Sequence, residues 1–356
     1  MRVLTFAIGL TAAALASACG GSSSSGAEAP VGRTLEDERL DAEAQASSGS
    51  GAPADATASV PDDVVARAAA PLAALRNSDG ASLAFEATMT HLASADAICI
   101  GERHDDPGDH FAQLRVIQAL FERRAVRGFE LGIGLEMVRE PFQPVLTRYV
   151  DGGLSDAALE EGLHFQSEWG YDMAFYQPAF REASVEYGSL LAFGVARDLT
   201  RDVAEKGLAG INPNQRRILP HLDLNVPGHR AVFDSLMIHH PGTAQREVLD
   251  RFYEAQVVWD ESMADRAAAW LSQRYPGRKL VILAGAAHCH PSAIPARIKR
   301  RAAFTVVSVL PRAKDEPSDV SRNLLAKEYD YLLLREQTPE ATAPREPGAD
   351  QPPASE

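Results

Sequence analysis

The sequence predicts an α/β fold in which helices flank a mostly parallel β-sheet. Short, uniformly apolar runs, such as 97–100 and 190–193, end at glycines. Runs of this kind are typical of parallel strands that are buried on both faces. Amphipathic stretches separate the runs, and the repeated alternation of strand and helix favours a parallel sheet.

Each element is predicted from its own pattern, in chain order. Residues 83–93 and residues 108–124 carry apolar side chains at helical spacing, so both segments are predicted to be helices. The predicted strands are short apolar runs, and they cover 97–100, 133–135, 190–193, 279–283, 305–310 and 329–334.

Two long stretches between the strands, residues 139–188 and 197–272, are largely helical in pattern. The longest single helix is predicted at 243–272. Because these stretches exceed simple crossovers, we expect a helical cap over one end of the sheet. The cap and the sheet would form one α/β domain of residues 62–335.

Residues 1–19 have the composition of a lipoprotein signal peptide. Arg2 precedes an apolar stretch, 3–15, that is shorter than the roughly 20 residues of a membrane span. Small residues then lead to Cys19, which we expect to be lipidated after cleavage; an ordinary secretory signal cut near Cys19 is the alternative. Gly20, in place of an aspartate, favours the outer membrane of a double-membraned bacterium.

Most of the formal net charge of −14 lies near the two ends of the chain. Residues 20–62 hold eight acids against two arginines, and residues 336–356 hold five acids against one arginine. Because these segments contain few large apolar side chains, they predict a disordered tether at 20–60 and a disordered tail at 336–356. No basic patch or stripe indicates nucleic-acid binding, and no membrane span is predicted after the signal.

The chain contains three cysteines, which imply no disulfide framework. If Cys19 carries a lipid, only Cys99 and Cys289 remain to pair. The sequence leaves open whether they do so.

Polar side chains stand at the ends of three predicted strands. Glu102 and His104 follow the first strand, Glu136 ends the second, and His288 follows the fourth. In open α/β sheets, ligands bind beyond the carboxyl ends of the strands, so we expect these side chains to converge there. Two imidazoles and two carboxylates in one crevice suit a metal centre or acid–base chemistry.

Each of these residues also has a simpler structural interpretation. A single histidine after a strand is usually a hydrogen-bonded polar residue, and an acid there favours the start of the next helix. The repetition of Gly-x-x-His, at 101–104 and 285–288, favours the functional interpretation. Cys289 and His290 are further ligand candidates, although the following Pro291 predicts a loop.

A series of short motifs runs in order through residues 86–311. It opens with Gly101-Glu102-Arg103-His104-Asp105, followed by His110. The later motifs are Gly134-Leu135-Glu136-Met137, Tyr149 with Gly152-Gly153, Trp169 followed by Tyr176 and Pro178, Glu254-Ala255-Gln256, Trp259-Asp260-Glu261, Met263-Ala264, Leu283-Ala284-Gly285 with His288, and Ile294-Pro295. The series resembles the ChaN-type iron-regulated lipoproteins, a family similar in fold to Tiki-type proteases and erythromycin esterases.

The resemblance implies a haem-binding protein that serves iron uptake at the cell envelope and forms a dimer. It implies a tyrosine as axial ligand of the haem iron, with a histidine close to the haem. Tyr176 matches the family's Tyr-x-Pro element, and Tyr171 is the alternative. The candidate cofactor-binding residues are Tyr176, Tyr171, His104, His110, Glu102 and His288.

A haem pocket also needs apolar walls and cations near the propionates. The candidates in the predicted cap and nearby are Phe165, Trp169, Phe175, Phe180, Phe193 and Trp259, with Arg181 and Arg197 as cations. In the alternative interpretation these aromatic side chains belong to an ordinary core. The sequence departs from the family at Ala286-Ala287 and at Cys289-His290, where a polar residue and an aliphatic one are more common.

Two other functions remain open. One is a hydrolase of esterase or protease type, in which Glu102 or Glu136 acts as general base. His104 and His288 would then stabilise charge or hold a divalent metal, which activates water by lowering its pKa. The chain lacks the G-x-S-x-G and H-E-x-x-H motifs of other common hydrolases. The last hypothesis is a non-catalytic tethered interaction module.

The predicted lipid anchor is tested by Cys19→Ala. Because this change removes the thiol that would carry the lipid, we expect the protein to leave the membrane fraction while its domain stays folded. Fractionation of cells, followed by detection of the protein, measures the effect. Membrane association that persists in the variant would contradict the prediction.

Overall fold

The computed structural model describes residues 72–237, 245–273, 277–314 and 325–335, which contain an eight-stranded, mostly parallel sheet. The strands from β3 to β8 run parallel, as predicted, and β1 and β2 form an antiparallel hairpin at one edge. In chain order the strands are β1 (Ala73–Arg76), β2 (Ala81–Ala84), β3 (Ala97–Glu102), β4 (Glu130–Arg139), β5 (Ser189–Gly194), β6 (Arg278–Gly285), β7 (Val306–Ala313) and β8 (Tyr331–Arg335). Across the sheet they lie in the order β2-β1-β8-β7-β3-β6-β4-β5. The predicted signal, tether and tail lie outside the described residues.

Helices connect the strands along the described chain. They are α1 (Phe85–Leu92), α2 (Pro107–Arg127), α3 (Gln143–Val150), α4 (Asp156–Gly162), α5 (Phe165–Glu168), α6 (Gln177–Val185), α7 (Arg197–Gly210), α8 (Pro213–Ile218), α9 (His229–Met237), α10 (Arg246–Leu271), α11 (Ala286–Cys289) and α12 (Ile294–Arg301). Within the described residues, no helix is both long enough and apolar enough to cross a membrane.

The parallel strands are covered on both faces of the sheet. In β3, Ile98 and Ile100 enter one hydrophobic cluster, while Ala97 and Cys99 enter another. The first cluster includes side chains from α1 to α6, and the second includes side chains from α9 to α12. Because both faces are buried, these strands contain largely apolar runs, which is the pattern that predicts them.

The described parts of the two stretches predicted to form a cap are largely helical, and β5 separates them. The helices of the first stretch contribute to the cluster on the face that also carries α2. In the second stretch, α10 packs against the opposite face, and α7 packs on α10 through Val203 and Val258. That these helices act as a cap over the ligand crevice stays a prediction.

The predicted helix at 83–93 is wrong at its start. Leu83 lies in β2, where it pairs with Ala74, and α1 begins at Phe85. The hairpin turn ends at Gly80, whose φ of +69° favours glycine. Strands of four residues without a continuous apolar run leave little pattern, so the sequence predicts no strand there.

The side chain of Gln143 closes part of the edge of the sheet at β5. Its amide nitrogen donates to the carbonyl of Leu190 at 2.9 Å, and its amide oxygen accepts from the N–H of Ala192 at 2.8 Å. These are the two kinds of bond that a neighbouring strand would make. The first residue of α3 therefore satisfies backbone groups that an edge strand leaves open.

Cys99 and Cys289 form a disulfide, which answers the question that the sequence leaves open. The bond joins the middle of β3 to the last residue of α11, and both cysteines are fully buried. Gly101 allows the same close approach, because a Cβ there would lie 2.9 Å from the Cα of Ala286. The short helix that carries His288 is thus held directly against β3.

Removal of this disulfide should destabilise the domain. Because the bond joins residues 190 positions apart, its loss frees the unfolded chain. We expect the Cys99→Ala/Cys289→Ala variant to lose about 2–5 kcal/mol of unfolding free energy. Urea unfolding with and without reductant measures the loss. Reductant should lower the stability of the wild type and leave the variant unchanged; equal stability of the two oxidised proteins would contradict the prediction.

Candidate functional site

The structure brings the predicted strand-end residues together at the carboxyl edge of the sheet. Glu102 is the last residue of β3, and His104 follows it with Nδ1 at 2.9 Å from Oε1 of Glu102. Glu136 in β4 lies with Oε1 at 3.3 Å from Nε2 of His288 in α11. Between the two pairs lies Gly285, whose missing Cβ would stand 3.2 Å from Nε2 of His104. The two Gly-x-x-His elements therefore share one site.

Glu102 is the most completely bonded residue of this site. It is 1% exposed and accepts hydrogen bonds from His104, from the Tyr176 hydroxyl at 2.7 Å and from Nε2 of Gln113 at 2.7 Å. Burial alone would raise its pKa, but His110, His104 and Tyr176 outweigh burial and lower the pKa of Glu102 to about 2. The carboxylate is therefore ionised at neutral pH.

The ring of His104 lies at the mouth of the site among aromatic side chains. Its centroid is 4.8 Å from the Trp169 ring in an edge-on contact and 5.1 Å from the Tyr171 ring. The side chain is 17% exposed. Burial lowers the pKa of His104, but the carboxylates of Glu102 and Glu136 outweigh burial and hold that pKa above its usual range.

His288 is held between carboxylates on two sides. Its Nδ1 lies 2.7 Å from Oδ1 of Asp260, its Nε2 faces Glu136, and its ring stacks on Trp259. Burial lowers the pKa of His288, yet Glu136 and Asp260 raise it above its usual range. Glu136 is also anchored, because its Oε2 accepts the backbone N–H of Gly285 at 2.6 Å.

The sequence motifs do not reveal the roles of several residues behind His288. Asp260 is fully buried, and its second oxygen lies 2.9 Å from Nε2 of His229. Burial would raise the pKa of Asp260, but Arg297, His229 and His288 together lower it. Gln256 lies one helical turn before Asp260 on α10 and contacts Nδ1 of His288 at 3.0 Å. The spacing of four between Gln256 and Asp260 was the available signal.

The two candidate tyrosines lie in different environments. Tyr176 is 1% exposed; its hydroxyl donates to Glu102 and accepts from Nε1 of Trp169 at 3.1 Å. Burial and the Glu102 charge raise the pKa of Tyr176 well above its usual range. Tyr171 is only partly buried, although burial followed by Asp105 also raises its pKa. Tyr171 contacts His104 from the more open side.

Of the other predicted ligands, His110 lies behind the site with Nδ1 3.7 Å from Oε2 of Glu102, whereas His290 and Cys289 are engaged elsewhere. His110 is buried, stacks on Phe175, and has Nε2 at 3.1 Å from the carbonyl of His104. His290 is directed to Ser292 rather than to the side occupied by His288. Cys289 is consumed by the disulfide, so it is not a free ligand.

The aromatic and cationic candidates divide in the same way. Trp169 and Trp259 contact the site histidines, whereas the buried rings pack in the hydrophobic clusters. Arg181 pairs with Asp156, and Arg197 donates to the carbonyl of Ser167 at 3.3 Å. The buried core rings are Phe165, Phe180 and Phe193.

Among the described residues, no group of three or more histidine, cysteine, aspartate or glutamate side chains is arranged to hold a metal ion. The divalent metal of the hydrolase hypothesis therefore gains no support from the described geometry.

The fold and the site define an α/β protein that brings paired Gly-x-x-His elements together at the carboxyl ends of parallel strands. The chain belongs to the family described as haem-binding uptake, Tiki superfamily, ChaN, which matches residues 88–298. The resemblance drawn from the sequence motifs is thus confirmed. A comparison with curated protein sequences gives no match.

Three solved structures align with the chain, and one of them supports a shared fold. The ChaN protein of Campylobacter jejuni, described with cofacial haem binding, aligns with a TM-score of 0.58 at 20% identity, covering 75% of this chain and 98% of that chain. A variant of the erythromycin esterase EreC in its open conformation gives 0.37 at 14% identity, covering 71% of this chain and 80% of that chain. The type III effector HopBA1 gives 0.40 at 10% identity, covering 70% and 92%. Only the first score is high enough to support the shared fold.

The bonding of Glu102 predicts a defined acid sensitivity. Because its pKa falls from an ordinary 4.5 to about 2 on folding, the carboxylate stabilises the fold above pH 4.5 and loses this effect as the pH falls toward 2. We expect Glu102→Gln to lower the unfolding free energy at neutral pH by about 1–3 kcal/mol. The difference from the wild type should shrink in acid.

Urea unfolding over this pH range measures the effect. The exposed Glu160 on α4 provides the control, because Glu160→Gln should follow the wild type at every pH. A constant difference between wild type and Glu102→Gln across the range would contradict the assignment.

Proposed function

We propose that this protein binds haem in the crevice around His104 and Tyr171, and that it serves haem or iron uptake at the cell envelope. The observation that carries the proposal is the partly exposed imidazole of His104 beside the phenol of Tyr171, with ring centroids 5.1 Å apart. Both are side-chain types that ligate haem iron. Membership of the haem-binding uptake family supports the same conclusion.

The residues of the crevice fit a haem in their chemistry. Trp169 and Tyr171 offer flat apolar surfaces beside His104, and Trp259 does so beside His288. The space that a Cβ would fill at Gly285 lies between His104 and Glu136. When bound, haem would supply an iron centre that accepts an imidazole or phenolate ligand.

The family motif favours Tyr176 as the axial ligand of the haem iron. We assign this position to Tyr171 instead. Ligation by Tyr176 would break its hydrogen bonds to Glu102 and Trp169, and its raised pKa opposes loss of the phenolic proton. Tyr171 is more accessible and has no bond to Glu102 to give up. In this proposal Tyr176 supports Glu102, which in turn orients His104.

The protonation of His104 has a consequence for this site. In the free protein Nδ1 faces Glu102, and the raised pKa favours the doubly protonated ring. A doubly protonated imidazole must lose its Nε2 proton before that nitrogen can ligate iron. Direct ligation by His104 would therefore release a proton. A position beside the haem without ligation to iron would require no proton release.

An extracytoplasmic location is supported by the disulfide as well as by the predicted signal. Cys99 and Cys289 are bonded in the core, and such bonds persist mainly in oxidising compartments. We propose that Cys19 anchors the protein to a membrane through a lipid. The dimer implied by the family resemblance forms part of the same proposal.

A hydrolase remains the second candidate, because each site histidine is paired with a buried carboxylate. His104 pairs with Glu102, and His288 pairs with Asp260, in the arrangement that orients a catalytic imidazole. Glu102 is a poor general base at neutral pH, since its pKa is about 2 and three side chains donate to it. In a hydrolase, the pair of Glu136 and His288 would therefore act as general base in place of Glu102.

Hemin titration of the purified protein tests the haem proposal. We expect saturable binding with a Kd of about 1 μM or below, and a ferric high-spin spectrum with a charge-transfer band from a tyrosinate ligand. Tyr171→Phe should remove this band, because it removes the oxygen and keeps the ring. Tyr176→Phe, the matched control, should keep the band.

Loss of the band in Tyr176→Phe alone would transfer the ligand role to Tyr176. Absence of any saturable spectral change in the wild type would overturn haem binding. If the same preparation hydrolyses an ester or a peptide, and His288→Ala abolishes that hydrolysis, the hydrolase takes the place of the haem-binding protein.

A further inference from the structure

A second polar cluster lies at the carboxyl ends of β4 and β5, beside the crevice. Arg139 is the last residue of β4 and pairs in register with Gly194, the last residue of β5. Arg197 follows three positions later, at the start of α7. Arg266 reaches the same place from α10 and donates to the carbonyls of Phe193 and Gly194, each at 2.8 Å. Three guanidinium groups thus gather at this end of the sheet.

Arg139 is the least exposed guanidinium of these three, with 12% of its side chain exposed. It forms an ion pair with Glu168, the last residue of α5. Burial, followed by the nearby charge of Arg197, lowers the pKa of Arg139 to about 10. Two like charges in a poorly hydrated place favour an anion beside them, and Glu168 provides that anion in the free protein.

The segment that carries Glu168 also covers His104. Trp169 follows Glu168 directly, and its ring makes the edge-on contact with His104. Residues with left-handed backbone conformation bound this segment, His164 with φ of 48° and Gly170 with φ of 90°. One short piece of chain therefore holds both the anion on Arg139 and the indole on the site histidine.

We propose that Arg139, assisted by Arg197, is the subsite for a carboxylate of the ligand, and that Glu168 occupies this subsite until the ligand arrives. The ligand carboxylate replaces Glu168 on Arg139. The inference rests on the proposed haem function, in which the carboxylates are the haem propionates. Arg139 thereby makes binding depend on the negatively charged groups of the ligand.

The positions of His104 and Arg139 along the sheet allow a single ligand to reach both residues. β3 carries the His104 end and β4 carries Arg139; β6 lies between them, so the strands are about 10 Å apart. Carboxylates and imidazoles surround the His104 end, while guanidiniums surround the other end. A flat apolar molecule with a cationic metal centre and peripheral carboxylates matches that distribution of charge.

Hemin and hemin dimethyl ester, whose propionates carry no charge, separate this subsite from haem binding in general. We expect the wild type to bind hemin about tenfold more tightly than the ester, since a charge-assisted hydrogen bond is lost in the ester. Arg139→Gln should remove that preference by weakening hemin binding about tenfold while leaving the ester unaffected. Arg148→Gln, a change of an exposed arginine on α3, should keep the wild-type preference.

Glu168→Gln tests the exchange directly. Because it removes the competing charge, hemin affinity should rise by about three- to tenfold, and Glu160→Gln should leave it unchanged. Equal affinity of the wild type for hemin and its ester would overturn the subsite and leave haem binding intact. Weaker hemin binding in Glu168→Gln would overturn the exchange. Failure of both compounds to bind would instead overturn the proposed function.

Discussion

The burial of two carboxylates is the constraint on which the site depends. Glu102 is 1% exposed and Asp260 is fully buried, and a charge in such a place is tolerated only with donors on its oxygens. The donors to Glu102 come from α2 and from the residue before α6, so the carboxylate ties these elements to the end of β3. Asp260 in the same way ties α10 to α9 and α11 through His229 and His288.

Each buried carboxylate also decides how one imidazole stands. Glu102 takes Nδ1 of His104 and Asp260 takes Nδ1 of His288, so the opposite nitrogens are turned toward the centre of the site. A ring held in this way needs little rearrangement before it meets a ligand. The chain belongs to a haem-binding uptake family, and haem iron accepts imidazole ligands. The two histidine–carboxylate pairs are also the arrangement that orients a catalytic imidazole in a hydrolase.

Local patterns predict the parallel strands and the polar residues at their ends, and the structure has both. Such local patterns do not predict contacts between residues that lie far apart in the sequence. Asp260 lies within a helix of 26 residues, where it resembles an ordinary polar position until α11 packs beside it. The contrast between Tyr171 and Tyr176 depends on Glu102, 74 positions before Tyr176, and the pairing of Cys99 depends on a residue 190 positions away. The hairpin of β1 and β2 escaped prediction because each strand is only four residues long.

The bonds that Gln143 makes to β5 bear on how copies of this chain can associate. A second molecule that extended the sheet through β5 would have to displace an amide that already fills the donor and acceptor positions of Leu190 and Ala192. Strand addition at this edge therefore starts from an occupied register, which disfavours both open-ended growth and a dimer built as one continuous sheet across β5. A symmetric pair would more readily meet through side chains, leaving the backbone ladder of each copy closed at this border.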